Sequence, residues 1–173
     1  SSDSHTATVS NAAAASTDIT LTDDEKADLT DGITATTSGW SYSVSNSVVE
    51  RLAQDETITV SFDVTVNDGT EDSASEAVTL TITGTNDKPV LTVTAAGGVD
   101  ETDGDTALTL SGEISFTDED SSDSHEVLVD NKIAESNDIT LTDDEKAELI
   151  DGIGITEDKS KWSYSVSNSV VER

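Results

Sequence analysis

The chain repeats itself at a spacing of about 120 residues. Three stretches of the first half return in the second half: residues 1–5 as 121–125, residues 18–27 as 138–147, and residues 40–51 as 162–173. The first two pairs have an offset of 120 and the third an offset of 122, which predicts a two-residue insertion in a loop between Ile153 and Trp162. Self-similarity at a fixed period is typical of tandem arrays of one structural unit.

The two copies are cut at different places, so they are expected to form two bodies in a row. Residues 1–88 hold the later part of one copy, and residues 89–173 hold the earlier part of the next. The first copy lacks what 89–120 provides, and the second lacks what 52–88 provides. Because these parts are complementary, we expect that neighbouring chains can exchange strands, or that the chain belongs to a longer polypeptide.

Alternating residues predict β-strands on both sides of a stiff junction. Residues 57–66 place Ile, Val and Phe on one face and polar residues on the other, and residues 77–83 alternate in the same way. The stretch 84–89, Gly-Thr-Asn-Asp-Lys-Pro, then joins two strand patterns. Pro89 lacks an N–H and keeps Lys88 extended, so the sheet ladder cannot continue through it. Asn86 and Asp87 add two hard oxygen donors there.

The composition is strongly acidic. Eight basic and 37 acidic residues give a net charge of −29, which excludes a nucleic-acid groove or an anionic membrane surface and implies cations as partners. Without cysteine, disulfides and thiolate metals are excluded. No apolar run is long enough for membrane insertion, and no signal-peptide pattern opens the sequence. Acidity with 3% aromatics also suits a disordered chain. The ten alternating residues at 57–66 argue against that alternative.

The remaining patterns predict short elements in the first copy. Strands are expected at 6–10 and 17–21, separated by an Ala-rich connection at 11–16. Residues 22–25, Thr-Asp-Asp-Glu, form a capping-box pattern that opens a helix ending before Asp31. This acidic cluster has two interpretations, helix capping and calcium binding. Residues 48–53 suggest a helical turn, and 67–72 a loop with its turn at Asp68 and Gly69.

Aromatic residues and one glycine carry further expectations. Trp40, Tyr42 and Val44 share one face, which indicates core packing or, alternatively, a carbohydrate-stacking platform. The second copy is expected to begin with strands 90–95 and 107–117 and then to repeat the order of the first. Gly112 lies between apolar pairs of the second strand, where it suggests a bend or bulge.

Several of these motifs together resemble the VCBS and cadherin-like repeats of large bacterial RTX adhesins. The motifs are the Gly-Thr-Asn-Asp-x-Pro junction at 84–89, the strand end at 116–120, the Trp-Ser-Tyr-Ser-Val-Ser-Asn segment at 40–46, and residues 64–69. The resemblance implies an all-β fold of tandem immunoglobulin-like Greek-key β-sandwiches, with calcium at the joints between adjacent repeats. It also implies a secreted, cell-surface role as the extender of a long fibre in attachment or biofilm formation. The short helix of each copy is an elaboration on that pattern.

In such a sandwich, acidic loops meet at the poles, where calcium would find carboxylate and amide oxygens. The main expected site combines Asn86 and Asp87 with Asp118, Glu119, Asp120 and Asp123. An upstream joint would use Asp3, Asn67, Asp68 and Asp72, and a downstream joint Asp100, Glu101, Asp103 and Asp105. The alternative for the downstream set is solvated turn acids. Chelation should therefore loosen the array and lower its stability.

Other function classes have weaker support. Only His5 and His125 would act near neutral pH, and a Ser-His-Asp run in sequence is poor support for a triad assembled in space, so we expect no enzyme activity. A carbohydrate- or protein-binding module needs an exposed aromatic residue, for which Trp40 and Trp162 are the candidates. The acidity is also consistent with adaptation to a salt-rich habitat.

Overall fold

The computed structural model describes residues 4–94, 97–101 and 106–172. It divides into two compact units. Unit 1 comprises Ser1–Lys88 with Asp118–Asp123, and unit 2 comprises Pro89–Thr117 with Ser124–Arg173. Within the described part, strands hold 39% of the chain and helices 15%, so the fold is mainly β. No helix among those residues is long and apolar enough to cross a bilayer.

Unit 1 contains five strands and two helices among its described residues. In chain order these are β1 (Thr6–Ala15), α1 (Asp23–Asp31), β2 (Ile33–Thr36), β3 (Gly39–Tyr42), α2 (Asn46–Val49), β4 (Thr57–Asn67) and β5 (Glu76–Thr83). Antiparallel pairing gives a three-stranded sheet in the order β1-β4-β5 and a separate β2-β3 hairpin. The predicted strands at 57–66 and 77–83 are confirmed as β4 and β5, and the helical turn predicted at 48–53 is found as α2, which begins two residues and ends four residues earlier.

β4 is the centre of the unit 1 core. Ile58 and Val60 are fully buried and Phe62 is 1% exposed, because this strand has a neighbour on each side and a layer over its inner face. The layer includes Leu29 of α1 and Leu52. Burying an aliphatic or aromatic side chain stabilises a fold by about 1.5–3 kcal/mol, so the alternation of β4 accounts for much of the unit's cohesion.

β1 differs from its prediction as a short strand followed by a connection. It runs through residues 6–15 because a β-bulge absorbs one extra residue between Ser10 and Ala13. Asn11, at the bulge, has φ 52° and donates its Nδ2 to Asp63 Oδ2 at 2.8 Å. The strand predicted at 17–21 is wrong: Asp18 instead turns the chain by accepting hydrogen bonds from Thr57 N and Oγ1.

The capping-box prediction is confirmed in both copies. Thr22 Oγ1 accepts from Glu25 N at 3.2 Å, and Glu25 Oε2 accepts from Thr22 N at 2.7 Å. Thr142 and Glu145 repeat this arrangement at the start of the second helix. The Thr22 N–H holds the pKa of Glu25 below its usual value. Thr22 and Glu25 therefore serve the start of the helix, which supports the helix-capping interpretation of the cluster at 22–25.

Unit 2 contains a four-stranded antiparallel sheet. Its elements are β6 (Val90–Val93), β7 (Ala107–Thr117), α3 (Asp143–Asp151), β8 (Ile153–Ile155), β9 (Lys161–Ser167) and a 3-10 turn (Asn168–Val170). The strand order is β6-β7-β9-β8. The predicted strand 107–117 is confirmed in full, and β6 ends at Val93, short of the predicted 95, with 95 itself outside the described residues.

Gly112 does not introduce the predicted bend or bulge. The pairing of β7 with β9 continues without a register shift through Gly112, which lies opposite Trp162. A Cβ atom on this glycine would lie 2.4 Å from Trp162 Nε1 and 2.8 Å from Thr94 O. Glycine is required because the indole covers the backbone and donates its N–H to Thr94 O at 3.0 Å.

The second copy does not repeat the strand order of the first. Residues 126–135, the counterparts of β1, form no strand, whereas their equivalents at 6–15 pair with β4 along most of their length. The two stretches are identical at three of ten positions, so they differ in sequence as well as in surroundings. A strand needs a neighbour to receive its backbone hydrogen bonds, and no strand within the described residues pairs with 126–135.

Candidate functional site

The segment Asp118–Asp123 belongs to unit 1, where it lies against residues far away in sequence. Asp87 N donates to Asp120 Oδ2 at 2.8 Å, and Ser122 Oγ donates to Glu56 Oε1 at 2.6 Å. Ser121 N donates to Arg51 O at 3.4 Å. The segment is therefore held by the end of the 84–88 stretch and by the loop that leads from α2 into β4.

Asp120 is the buried acid of this site. Its side chain is 2% exposed, and its Oδ1 has no hydrogen-bond partner among the described residues. The same part of the chain offers it no ion pair. Buried polar atoms in folded proteins almost always have a hydrogen-bond partner, so this oxygen calls for an explanation. A cation at Oδ1 would supply the missing partner.

The neighbouring predicted ligands surround Asp120 unevenly. Asp118 is half-buried and its Oδ1 accepts from Asp120 N at 3.1 Å, whereas Glu119 and Asp123 are exposed. Asp87 is exposed and places its backbone N–H on Asp120. Asn86 donates its Nδ2 to Asp87 O, and its own N–H approaches Gln54 Oε1 at 3.4 Å. The structure thus brings the backbone of Asp87 to Asp120, whereas the hydrogen bonds of Asn86 go to Asp87 and Gln54.

No group of three or more acidic or histidine side chains arranged to hold a metal ion occurs within residues 4–94, 97–101 and 106–172. Asp120 Oδ2 instead accepts from the backbone N–H of Asp87, and Asp118 Oδ1 accepts from the N–H of Asp120. Calcium takes six to eight oxygen ligands and can complete its shell with water.

Sequence reasoning missed the contribution of the loop 51–56. Arg51 O receives both the N–H and the hydroxyl of Ser121, and Glu56 binds Ser122. Glu56 O also accepts from Gly84 N at 2.8 Å, which fixes the start of the 84–88 stretch. The cluster of Gln54, Asp55 and Glu56 immediately before an alternating strand was the available signal. Its partners at 121–122 are not readable from spacing.

The predicted upstream ligands Asn67, Asp68 and Asp72 form hydrogen bonds within the turn at 67–72. Asp68 Oδ1 accepts from Thr70 N and Glu71 N, each at 2.9 Å, and these N–H groups lower the pKa of Asp68. Asn67 Nδ2 donates to Asp72 Oδ1 at 2.7 Å. Gly69, with φ 92°, completes the predicted turn. Asp3, the fourth member of this set, lies outside the described residues.

The predicted downstream ligands are only partly described. Asp103 and Asp105 lie outside the described residues, and Asp100 is exposed. Glu101 Oε1 accepts from Asn168 Nδ2 at 3.4 Å, and Glu172 Oε1 accepts from the same nitrogen at 3.1 Å. Asn168 is 1% exposed and its Oδ1 has no hydrogen-bond partner in the described structure. Sequence reasoning missed Asn168 and Glu172.

The aromatic face of the first copy is more exposed than core packing predicts. Trp40 is 47% exposed and contacts Phe62 edge-on, with ring centroids 5.4 Å apart, while Tyr42 and Val44 pack against the core. Its counterpart Trp162 is half-buried because β7 pairs with its strand. β3 has no such neighbour among the described strands, so the prediction of a buried Trp40 is wrong.

The two histidines lie in different units. His5 is exposed in unit 1, near enough to Asp68 to lower the pKa of that carboxyl slightly. His125, in unit 2, stacks at a tilt of 37° on Phe116, with ring centroids 4.6 Å apart.

Comparison with known proteins adds no family assignment, since no family model matches the chain and no curated protein matches it significantly.

Proposed function

We propose that this chain is part of a calcium-stiffened array of β-repeats that spaces the adhesive tip of a bacterial surface adhesin away from the cell. The single observation that carries the calcium part is Asp120, a buried carboxylate whose Oδ1 has no partner in the described structure. The array part rests on the internal repeat of about 120 residues and on the motif resemblance.

The residues proposed to hold the ion are those gathered at the 118–123 segment. Asp120 supplies the buried oxygen, Asp118 and Asp87 supply further carboxylates, and Asn86, Glu119 and Asp123 are the outer candidates. Glu56 joins this set because it already binds Ser122. Bound calcium would supply the positive charge that offsets repulsion among these acids, which is worth on the order of 1 kcal/mol per close pair at water-like dielectric.

Stiffening follows from where these residues lie along the chain. Residues 86–87 immediately precede the Lys88–Pro89 bond, and residues 118–120 immediately follow β7. An ion held by both segments would tie together the two stretches of unit 1 from which the chain passes into unit 2. Without the ion, like charges at both stretches would favour their separation. Array stiffness would thereby depend on calcium.

The experiment compares Asp120→Asn with Asp28→Asn, an exposed change elsewhere in unit 1 that also removes one negative charge. Calcium should raise the melting temperature of the wild type and of Asp28→Asn, and the stabilisation reaches about 2.7 kcal/mol at a hundred times Kd. Asp120→Asn should lose most of that increase. Small-angle scattering with and without chelator measures stiffness. Identical melts and scattering profiles with calcium and with chelator would refute the proposal.

The adhesin role has a separate test. Antibodies raised against the chain should label the surface of intact source cells, and deletion of the parent gene should reduce attachment. Labelling only after lysis would contradict a surface role while leaving calcium binding intact.

A carbohydrate- or protein-binding module is the second candidate. The observation in its favour is the exposed Trp40, beside a groove of about 230 Å³ lined by the hydroxyls of Thr34, Thr36, Ser38 and Ser41. The half-buried Trp162 argues against a platform common to both copies. Sugar-dependent quenching that Trp40→Phe abolishes would favour this function. We propose no enzymatic role for either histidine.

A further inference from the structure

The core of unit 2 is open at positions that are closed in unit 1. Leu29 is fully buried and Leu21 is 7% exposed, whereas their counterparts Leu149 and Leu141 are only half-buried. Ile139 is 46% exposed, although the equivalent residue of unit 1 packs against the core. The same side chains at the same repeat positions are therefore more exposed to solvent in unit 2 than in unit 1.

Two cavities of unit 2 account for this exposure. One has a volume of about 620 Å³ and is lined by Ala134, Ile139, Leu141 and Ile150 among others. The other, of about 310 Å³, is mostly apolar and includes Val127, Val129, Ile153 and Trp162. Both cavities flank residues 126–141. We call the surface formed by residues 126–141 and these two cavities the acceptor groove.

In unit 1, β4 covers the surface that is equivalent to the acceptor groove. There β4 pairs with β1, and its Ile58, Val60 and Phe62 fill the core beside Ala14 and Leu21. Phe62 also lies against Trp40, the counterpart of Trp162. The stretch that contains β4 and β5 occurs once in the sequence, at 57–83. Unit 1, where β4 is in place, therefore shows which kind of strand fits the acceptor groove.

The acceptor groove already has the backbone shape that β4 requires. Asn131 has φ 51°, matching φ 52° at Asn11, the bulge residue that binds Asp63. Non-glycine residues adopt this region rarely, so its recurrence without a paired strand is informative. Ser136 Oγ accepts from Asp138 N and Ile139 N, each at 3.3 Å, as Ser16 Oγ does from Asp18 N and Ile19 N.

In unit 1, the turn formed by Ser16 and Asp18 binds the start of β4. Ser16 Oγ donates to Thr57 O at 2.6 Å, and Asp18 Oδ2 accepts from Thr57 N at 2.8 Å. Ser136 and Asp138 present the same groups in unit 2. A receptor whose shape is set before binding avoids part of the ordering cost of association.

We propose that the acceptor groove of unit 2 binds a β-strand of β4 chemistry, by antiparallel addition along residues 126–135. The occupant is a polypeptide segment with apolar residues at alternate positions, an aromatic residue to meet Trp162, and an aspartate to bind Asn131. Main-chain hydrogen bonds supply affinity in this mode and alternate side chains supply specificity. This inference is independent of calcium binding.

The test adds a synthetic peptide of residues 57–83 to the full chain carrying Trp40→Phe. The peptide contains neither Trp nor Tyr, so the emission reports Trp162. We expect a blue shift of that emission and slower hydrogen exchange at residues 126–135, by about ten-fold or more at saturation. Physiological ionic strength, where the Debye length is about 8 Å, limits repulsion between the two acidic partners.

Two matched peptides separate strand docking from general association. A peptide carrying Val60→Asp and Phe62→Asp has the same length and should bind far more weakly. A peptide carrying Asp63→Ala should lose about ten-fold in affinity against the wild-type chain, as expected for a hydrogen bond to a charged group, and little against Asn131→Ala. Asn131 is exposed, so this variant tests the contact without disturbing the core.

The outcomes are distinct. Equal binding of the wild-type and doubly substituted peptides, or no change at residues 126–135 at about 1 mM peptide, would overturn the proposal. Protection of 126–135 that arises from self-association of the chain without peptide would assign the groove to a second copy and would also overturn it.

Discussion

At the scale of single residues, close backbone approach explains what alternation patterns do not. Gly112 lies in the middle of an uninterrupted strand pair, and its missing side chain leaves room for the indole of Trp162. Gly154 lies in β8, on the other side of β9, and a Cβ atom there would have only Ser163 Oγ nearby, at 3.7 Å. These two glycines form a natural pair for comparison.

Gly112→Ala should destabilise unit 2 by about 1–3 kcal/mol, because the added methyl group must displace Trp162 or the Thr94 carbonyl. Gly154→Ala should have little effect, since its Cβ makes ordinary van der Waals contact. Urea unfolding followed by tryptophan emission measures both. Equal stability of the two variants would contradict the role assigned to the indole.

Asp18 predicts a pH dependence at the same scale. The Thr57 N–H and hydroxyl hold the pKa of Asp18 below the usual value of 3.8. A depressed carboxyl pKa stabilises the fold fully above the unfolded value, and that stabilisation is lost as pH falls through the native pKa. The stability difference between the wild type and Asp18→Asn should therefore be constant above about pH 5 and shrink below 3.8.

Measuring both proteins by urea unfolding at each pH cancels the titration of the other carboxylates. A difference that stays constant down to pH 2 would show that the Thr57 contact is indifferent to the charge of Asp18.

At the scale of elements, two helices of equal length and nearly identical sequence lie in unequal surroundings, since α1 and α3 differ only at positions 28/148 and 30/150. α1 and α3 begin with the same capping box, yet α1 buries Leu29 completely while no residue of α3 is buried. Helix initiation is therefore local, whereas the burial of the helix depends on β4. Most helical stability in proteins comes from such packing.

Thr22→Ala should destabilise unit 1 by about 1 kcal/mol, the usual cost of removing an N-cap side chain, because Glu25 N loses its acceptor. Asp28→Ala, an exposed change within the same helix, serves as the control and should be neutral or slightly stabilising. Denaturant midpoints measured by circular dichroism test the pair. A loss of equal size in both variants would point to charge or composition instead of the cap.

At the scale of the whole molecule, charge is the dominant property. A net charge of −29 on 173 residues favours expansion over the compact state through self-repulsion. Most of the salt bridges of the described residues are exposed, and such pairs stabilise little. Screening and specific cation binding should therefore both stabilise the chain, by different routes.

Sodium chloride should raise the melting temperature of the wild type and of Asp120→Asn by the same amount, since screening acts on all exposed charges. Calcium at constant ionic strength should separate the two proteins. Calorimetric scans across both series test this. A calcium response that merely follows ionic strength would contradict specific calcium binding and would assign the acidic composition to solubility.

The sequence alone determined the local features: the repeat, the alternation of β4, β5 and β7, both capping boxes and the Asp68–Gly69 turn. These depend on neighbours a few residues apart, so short patterns contain them. Only the tertiary structure decided that residues 6–15 form one bulged strand while 126–135 form none, that Trp40 is exposed, and that Asp120 is buried with an unpartnered oxygen. Strand pairing and burial require partners tens of residues away, and no local pattern specifies whether such a partner is in place.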